Sequence, residues 1–123
     1  VMKMILNLSN AEAKDEFFMK PSEVIEMATI NGARTLGVDH VTGSLRPGKR
    51  ADLIMLKMDD LNFSTGDQHD SLIVEAAQPA NVDFVAVDGR ILQKDGKLTG
   101  IDTEVLVEEA EATFRRLKRE VDQ

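Results

Sequence analysis

Cysteine is absent from the 123 residues, and so are tryptophan and tyrosine. Without thiols the chain can form no disulfide and no thiolate metal site. Without Trp or Tyr it has little aromatic surface on which bases could stack. Histidine is scarce too, at His40 and His69 only, so neither a His-x-His pair nor a Ser-His arrangement can be assembled. No apolar run approaches the roughly 20 residues that span a bilayer. The start, "VMKMILNLSN", is too short in its apolar part for a secretory signal and lacks a small-residue cleavage site. A net charge of −7, with acidic residues spread along the chain, disfavours nucleic acid, whose phosphates call for a basic face. The expectation is a cytoplasmic protein with neither a membrane nor a nucleic-acid partner.

What is present amounts to one modest domain. Val1, Met4, Ile5 and Leu8 recur at helical spacing before the chain turns polar through Glu12, Lys14 and Asp15. Pro21 opens a helix predicted over 21–36, with Ile25, Ala28, Gly32 and Leu36 on one face and Val24 and Met27 beside them. Gly32 and Ala33 keep that helix thin, so another backbone can approach it, and Gly37 supplies a left-handed stop. "ADLIMLK" (51–57) reads as a well-buried strand, followed by "VDFVAV" (82–87) and "ILQK" (91–94). Asp88-Gly89 and Asp95-Gly96 are tight hairpin dipeptides, which gives a three-strand meander ending in "KLTG". Between them, 60–70 reads as loop and 71–77 as a helical turn. Asp102 caps a long final helix with the stripe Leu106, Ala110, Phe114, Leu117 and Val121. Acidic residues fill its first half, and Arg115, Arg116, Lys118 and Arg119 its last turns, as the helix dipole prefers. The default expectation is that this helix packs on its own domain, and the alternative is that it is offered to a partner subunit. The apolar start without a capping residue suggests a piece of a longer protein.

"GSLRPGKRAD" (43–52) poses the sharpest functional question, because Gly43, Gly48 and Lys49 match G-x-x-x-x-G-K. A phosphate loop needs a strand before it, a helix after it and a hydroxyl following the Lys. Here Arg50 takes the hydroxyl position, Pro47 deletes a loop N–H, and a strand pattern follows. The stretch is therefore expected to be a tight type II turn at Pro47-Gly48, with Leu45 anchoring a short strand before it. Lys49 is assigned no phosphate and little structural weight. "DQHD" offers Asp67, His69 and Asp70, but on a polar loop with no second cluster. The stretch from Asp60 fails as a calcium loop, since Thr65 stands where glycine is needed.

"EMATINGARTLGVDHVTGSLRPGKRADLIML" resembles the C-terminal region of the metal-dependent amidohydrolases, nearest to the cytosine deaminase, guanine deaminase and chlorohydrolase branch. In that family a helix ending ATxNGAxxLG precedes GSLxPGKxADLxxL. Ala28, Thr29, Asn31, Gly32, Ala33, Leu36 and Gly37 match the first pattern. Gly43, Ser44, Leu45, Pro47, Gly48, Lys49, Ala51, Asp52 and Leu53 match the second. "VDFVAVDGRILQKDGKLTGID" resembles the closing hairpin, through Asp88 and Gly89.

The resemblance implies an α+β chain. Residues 1–37 would be the helical end of a (β/α)8 catalytic barrel. Residues 38–101 would be the C-terminal part of a composite β-sandwich containing an antiparallel meander, and 102–123 a C-terminal amphipathic helix. It also implies a parent that holds zinc or iron and hydrolyses carbon–nitrogen or carbon–halogen bonds of a deaminase-type substrate. None of the ligand set it implies is present here, so the chain is expected to hold no cofactor, to be inactive alone and to act structurally through the matched residues. Its partners would be the N-terminal part of the parent and further copies of itself. The alternative reading is a freestanding α+β interaction module without catalysis.

Overall fold

The computed structural model describes residues 1–63 and 67–121, so Thr65 of the rejected calcium pattern and the last two residues lie outside it. Four helical pieces form one layer. Helix α1 (Met2–Ala13) ends at Lys14, which takes a left-handed conformation. Asn10 then organises the connection: its Oδ1 accepts the Met19 N–H at 2.7 Å, and its Nδ2 donates to the Glu16 carbonyl at 2.8 Å. Helix α2 (Pro21–Glu26) starts with proline in its first turn, and the Glu23 carboxylate accepts the Lys20 N–H at 2.7 Å. A π-helical turn (Met27–Asn31) passes directly into α3 (Gly32–Thr35). Helix α4 (His69–Glu75) lies against α1 and α2 and includes most of the predicted helical turn.

The helical core is small. Leu6, Val24 and Val74 are buried together, with Met2, Ile5, Met19 and Ile25 packed around them. Val24 is fully buried, which is worth about 2 kcal/mol. Lys3 Nζ donates to the Glu75 carbonyl at 3.2 Å, placing a cation at the carbonyl end of α4.

Two predicted stripes turn outward in part: Ile5, Val24 and Ile25 pack in the core, but much of each stripe does not. Val1, Met4 and Leu8 are exposed, and α1 buries its Met2–Ile5–Leu6 side. Met27, Ala28 and Leu36 are exposed as well. The predicted helix is also not one uniform α-helix. The π turn widens it at Met27–Asn31, where Thr29 Oγ1 donates back to the Ile25 carbonyl at 2.7 Å. Both stripes are apolar enough to be buried, but α4 reaches only one side of each helix.

The sheet has four antiparallel strands in chain order. They are β1 (Leu53–Leu56), β2 (Val82–Val87), β3 (Arg90–Lys94) and β4 (Lys97–Leu98). Strand β1 pairs with β2 through Leu53↔Ala86 and Met55↔Phe84, with a bulge before Leu56. The two Asp-Gly corners take positive φ at both residues, 52° and 76° at Asp88-Gly89 and 51° and 72° at Asp95-Gly96, as the expected hairpins require. Strand β1 is not well buried as its sequence suggests: Ile54 and Met55 point to opposite faces of the sheet and both are exposed, so neither face is fully covered there among the described residues. No strand forms at Leu45, whose side chain is also exposed.

Helix α5 (Thr103–Val121) is capped as predicted, with Asp102 Oδ1 accepting the N–H groups of Glu104 and Val105 at 3.1 and 3.2 Å. Every residue from 103 to 120 is exposed. The expectation that α5 packs on its own domain is therefore wrong: its stripe meets no surface among the described residues.

Candidate functional site

The matched motif residues converge where the helix layer hands the chain to the sheet. Gly37, at φ 70°, ends α3, with its N–H on the Arg34 carbonyl and the Val38 N–H on the Ala33 carbonyl. The chain then folds back so that Gly43 lies flat on the helix. A Cβ at Gly43 would sit 2.7 Å from the Ala33 Cβ and 3.1 Å from the Ile30 Cα. The thin face expected from Gly32 and Ala33 receives this backbone at Ala33.

Beyond it, Arg46 to Lys49 form the expected turn. The Lys49 N–H reaches the Arg46 carbonyl at 3.2 Å, and Gly48 has φ 87°. The Lys49 ammonium points back into the loop and donates to the Asp39 carbonyl, the Thr42 carbonyl at 3.1 Å and Ser44 Oγ at 2.7 Å. Its three protons are all engaged, which leaves none for a phosphate. The small structural weight expected of Lys49 is corrected here: it pins the whole 39–44 loop.

Asp52 connects three segments. One carboxylate oxygen accepts the Asp88 N–H at 2.6 Å, and the other accepts the Thr42 hydroxyl at 2.7 Å. These donors, in that order, followed by the nearby Arg50 charge, hold its pKa below the usual carboxylate value. The Gly89 N–H donates to the Ala51 carbonyl at 3.1 Å, and the Arg50 N–H to the Val41 carbonyl at 2.9 Å. The structure thus joins Gly43, Lys49, Ala51, Asp52, Asp88 and Gly89 in one knot. Asn31 stands apart on the helix, accepting from Arg34 Nη1 at 2.9 Å, while Leu45 and Pro47 face solvent.

An open groove of about 450 Å³ runs beside the knot, walled by Ala28, Gly32, Leu36, Val38 and Leu45. Asp52 is its only carboxylate, and both oxygens are already taken. The groove therefore offers neither a free general base nor a nucleophile–base pair. Its chemistry is that of a packing surface.

A second polar cluster escaped the sequence reading. Asn81 is buried, and its Oδ1 accepts Asn62 Nδ2 and the Gln78 N–H, each at 2.8 Å. Its Nδ2 donates to Asp60 at 2.7 Å, and Asn62 Nδ2 also reaches the Ala76 carbonyl at 2.9 Å. The cluster fastens 60–62 to the turn entering β2. The single available signal was the turn-like "QPAN", which says nothing about distant partners.

The donor set does not fit a metal. His40 and His69 are both exposed, and no group of three His, Cys, Asp or Glu among the described residues could hold an ion. Nor is any helix among the described residues long and apolar enough to cross a membrane.

Three comparisons bear on kinship. The amidohydrolase family profile matches residues 1–92. The 5-methylthioadenosine/S-adenosylhomocysteine deaminase of Caldicellulosiruptor saccharolyticus is 38% identical over 104 residues, 85% of this chain and 24% of that protein. The 5'-deoxyadenosine deaminase of Methanothermobacter thermautotrophicus is 36% identical over 116 residues, 94% of this chain and 27% of that protein. A zinc-bound adenosine deaminase from Xanthomonas campestris superposes with a TM-score of 0.85 at 27% identity, over 96% of this chain and 27% of that one. This chain spans about a quarter of the length of these relatives. The knot of Gly43, Lys49, Asp52 and Asp88 falls inside the matched region, and the chain belongs to the amidohydrolase family.

Proposed function

We propose that the chain is the closing quarter of a deaminase-type amidohydrolase acting on a carbon–nitrogen bond of an adenosine-like nucleoside. In such a reaction water adds at the amino-bearing ring carbon and ammonia leaves. The observation that carries this reading is the superposition of nearly the whole chain on about a quarter of a zinc-bound adenosine deaminase. On this reading the metal ligands and substrate contacts belong to the rest of the parent. Helices α1 to α3 buttress its barrel. The knot at Lys49 and Asp52 fixes the sheet as part of a composite sandwich. This chain's own contribution is mechanical: it sets the angle at which the helix layer meets the sheet.

The test has two arms. The coding sequence upstream of Val1 is expected to carry a His-x-His strand. Its full product is expected to release ammonia from adenosine, 5'-deoxyadenosine or 5-methylthioadenosine, while the purified 123-residue chain releases none. Turnover by the 123-residue chain that survives repurification would overturn the reading. So would a stop codon or an unrelated domain upstream, which would favour the freestanding interaction module.

A further inference from the structure

Helix α5 carries an apolar stripe of Leu106, Ala110, Phe114 and Leu117, and all four are exposed. Its charges are sorted along its length. Glu104, Glu108, Glu109 and Glu111 occupy the first half, and Arg115, Arg116, Lys118 and Arg119 the second, which also carries Glu120 near its end. Among the described residues its one ion pair is the exposed Glu111–Arg115 contact at 3.7 Å, one turn apart on the same helix. Among the described residues the remaining charges have no opposite-charge contact within ion-pair range, and the stripe has no cover.

We propose that this surface is a docking site for α5 of a second copy, paired antiparallel about a two-fold axis near Phe114. Charge complementarity selects this occupant and this direction. A parallel pair would set acidic half on acidic half and basic on basic, whereas an antiparallel pair opposes the acidic half to the basic cluster Arg115–Arg119, with Glu120 the exception. It also opposes the two helix dipoles favourably.

The register follows from the stripe. With Phe114 at the axis, the small Ala110 lies opposite Leu117 of the second copy, so a large side chain fills the space beside a small one. The same register sets Glu111 level with Lys118 of the second copy on one flank of the stripe, while on the other flank Glu109 lies between Arg116 and Glu120 of the second copy and gains little. The two-fold axis repeats the Glu111–Lys118 pair, as an isologous interface requires. A lipid surface fits less well, because acidic and basic residues nearly balance on α5 and an interfacial helix needs a basic polar face. The inference stands apart from the deaminase reading, since it uses only α5.

The experiment is sedimentation of the chain, and of any longer coding product, across a wide concentration range. One variant is Glu111→Lys, and the other Lys118→Glu. Each turns two cross-helix attractions into repulsions and is expected to weaken self-association by about tenfold. Mixing the two restores opposite charges and is expected to return a dimer containing one chain of each. Phe114→Ala should weaken association in the otherwise unaltered chain. A monomeric unaltered chain would overturn the proposal, as would variants that associate undiminished or a mixture no tighter than its components. Charge-indifferent assembly of a longer product would overturn it too, by showing that the rest of the parent covers α5.

Discussion

Substituting alanine at two glycines separates backbone strain from contact. Gly43 and Gly48 have nearly the same φ, 82° and 87°. Each Gly→Ala change therefore carries a similar cost for an L-residue in the left-handed region, about 1–2 kcal/mol. Their surroundings differ completely. Nothing lies within 4 Å of a Cβ at Gly48. At Gly43 the new methyl would meet the Ala33 Cβ at 2.7 Å, the Ile30 Cα at 3.1 Å and the Thr29 carbonyl at 3.2 Å. Two of these atoms are helix backbone and cannot rotate away. Overpacking of this kind adds about 1–3 kcal/mol. Gly48→Ala should thus cost about 1–2 kcal/mol and Gly43→Ala about 2–5 kcal/mol.

The assay is urea unfolding followed by far-ultraviolet circular dichroism, since the chain has no Trp or Tyr to report by fluorescence. Adding Ala33→Gly should recover part of the Gly43→Ala loss, because it removes the nearest of the three atoms. Equal costs at the two glycines, or no recovery with Ala33→Gly, would refute the idea that the loop rests directly on the helix.

Three further outcomes follow from the polar ties. Lys49→Met should lose about 1–3 kcal/mol by stranding the Asp39 and Thr42 carbonyls, whereas ATP should not change the melting temperature of the unaltered chain. Asn81→Leu should cost about 2 kcal/mol or more, since it leaves Asp60, Asn62 and the Gln78 N–H without their buried partner. The depressed pKa of Asp52 means that its stabilisation is complete above the ordinary carboxylate value of about 4 and is lost as pH falls through the lower folded value. Asp52→Asn should flatten that acid limb of urea midpoint against pH.

Local chemistry was legible in the sequence wherever a residue type dictates its own backbone. Asp-Gly corners, Pro47-Gly48, the Gly37 stop and the Asp102 cap all appear where their residues require them. Strand β2 spans the predicted residues. Burial was harder to read, because hydrophobic periodicity states which face should be covered and not whether a cover exists. Met4, Leu8, Leu36 and Ile54 have the right spacing and are exposed. Long-range polar partners were not legible either. Lys49 reaches back ten residues and Asp52 reaches forward thirty-six, and neither distance leaves a local trace in the sequence. The π turn at Met27–Asn31 gave no signal that composition or spacing could carry.

The exposed faces can be weighed together. The chain presents 9840 Å² of accessible surface at 13.6 kDa, where a compact monomer of that mass presents about 6,600 Å². The excess, about 3,000 Å², has the size of an obligate interface. One helix pair at α5 covers too little to account for it, since exposed Met4, Leu8, Leu36, Leu45, Ile54 and Met55 lie on other elements. Two separate occupants are therefore required by the proposed readings: the rest of an amidohydrolase against α1, α3 and the sheet, and a second copy against α5. They make different demands on variants. In a longer active product, reversing charges on α5 should halve the sedimenting mass and leave turnover per chain unchanged. Leu36→Asp should lower thermal stability and turnover together, without changing the mass. If the α5 charges abolished turnover, the helix would belong to the catalytic body, and the division between the two occupants would be wrong.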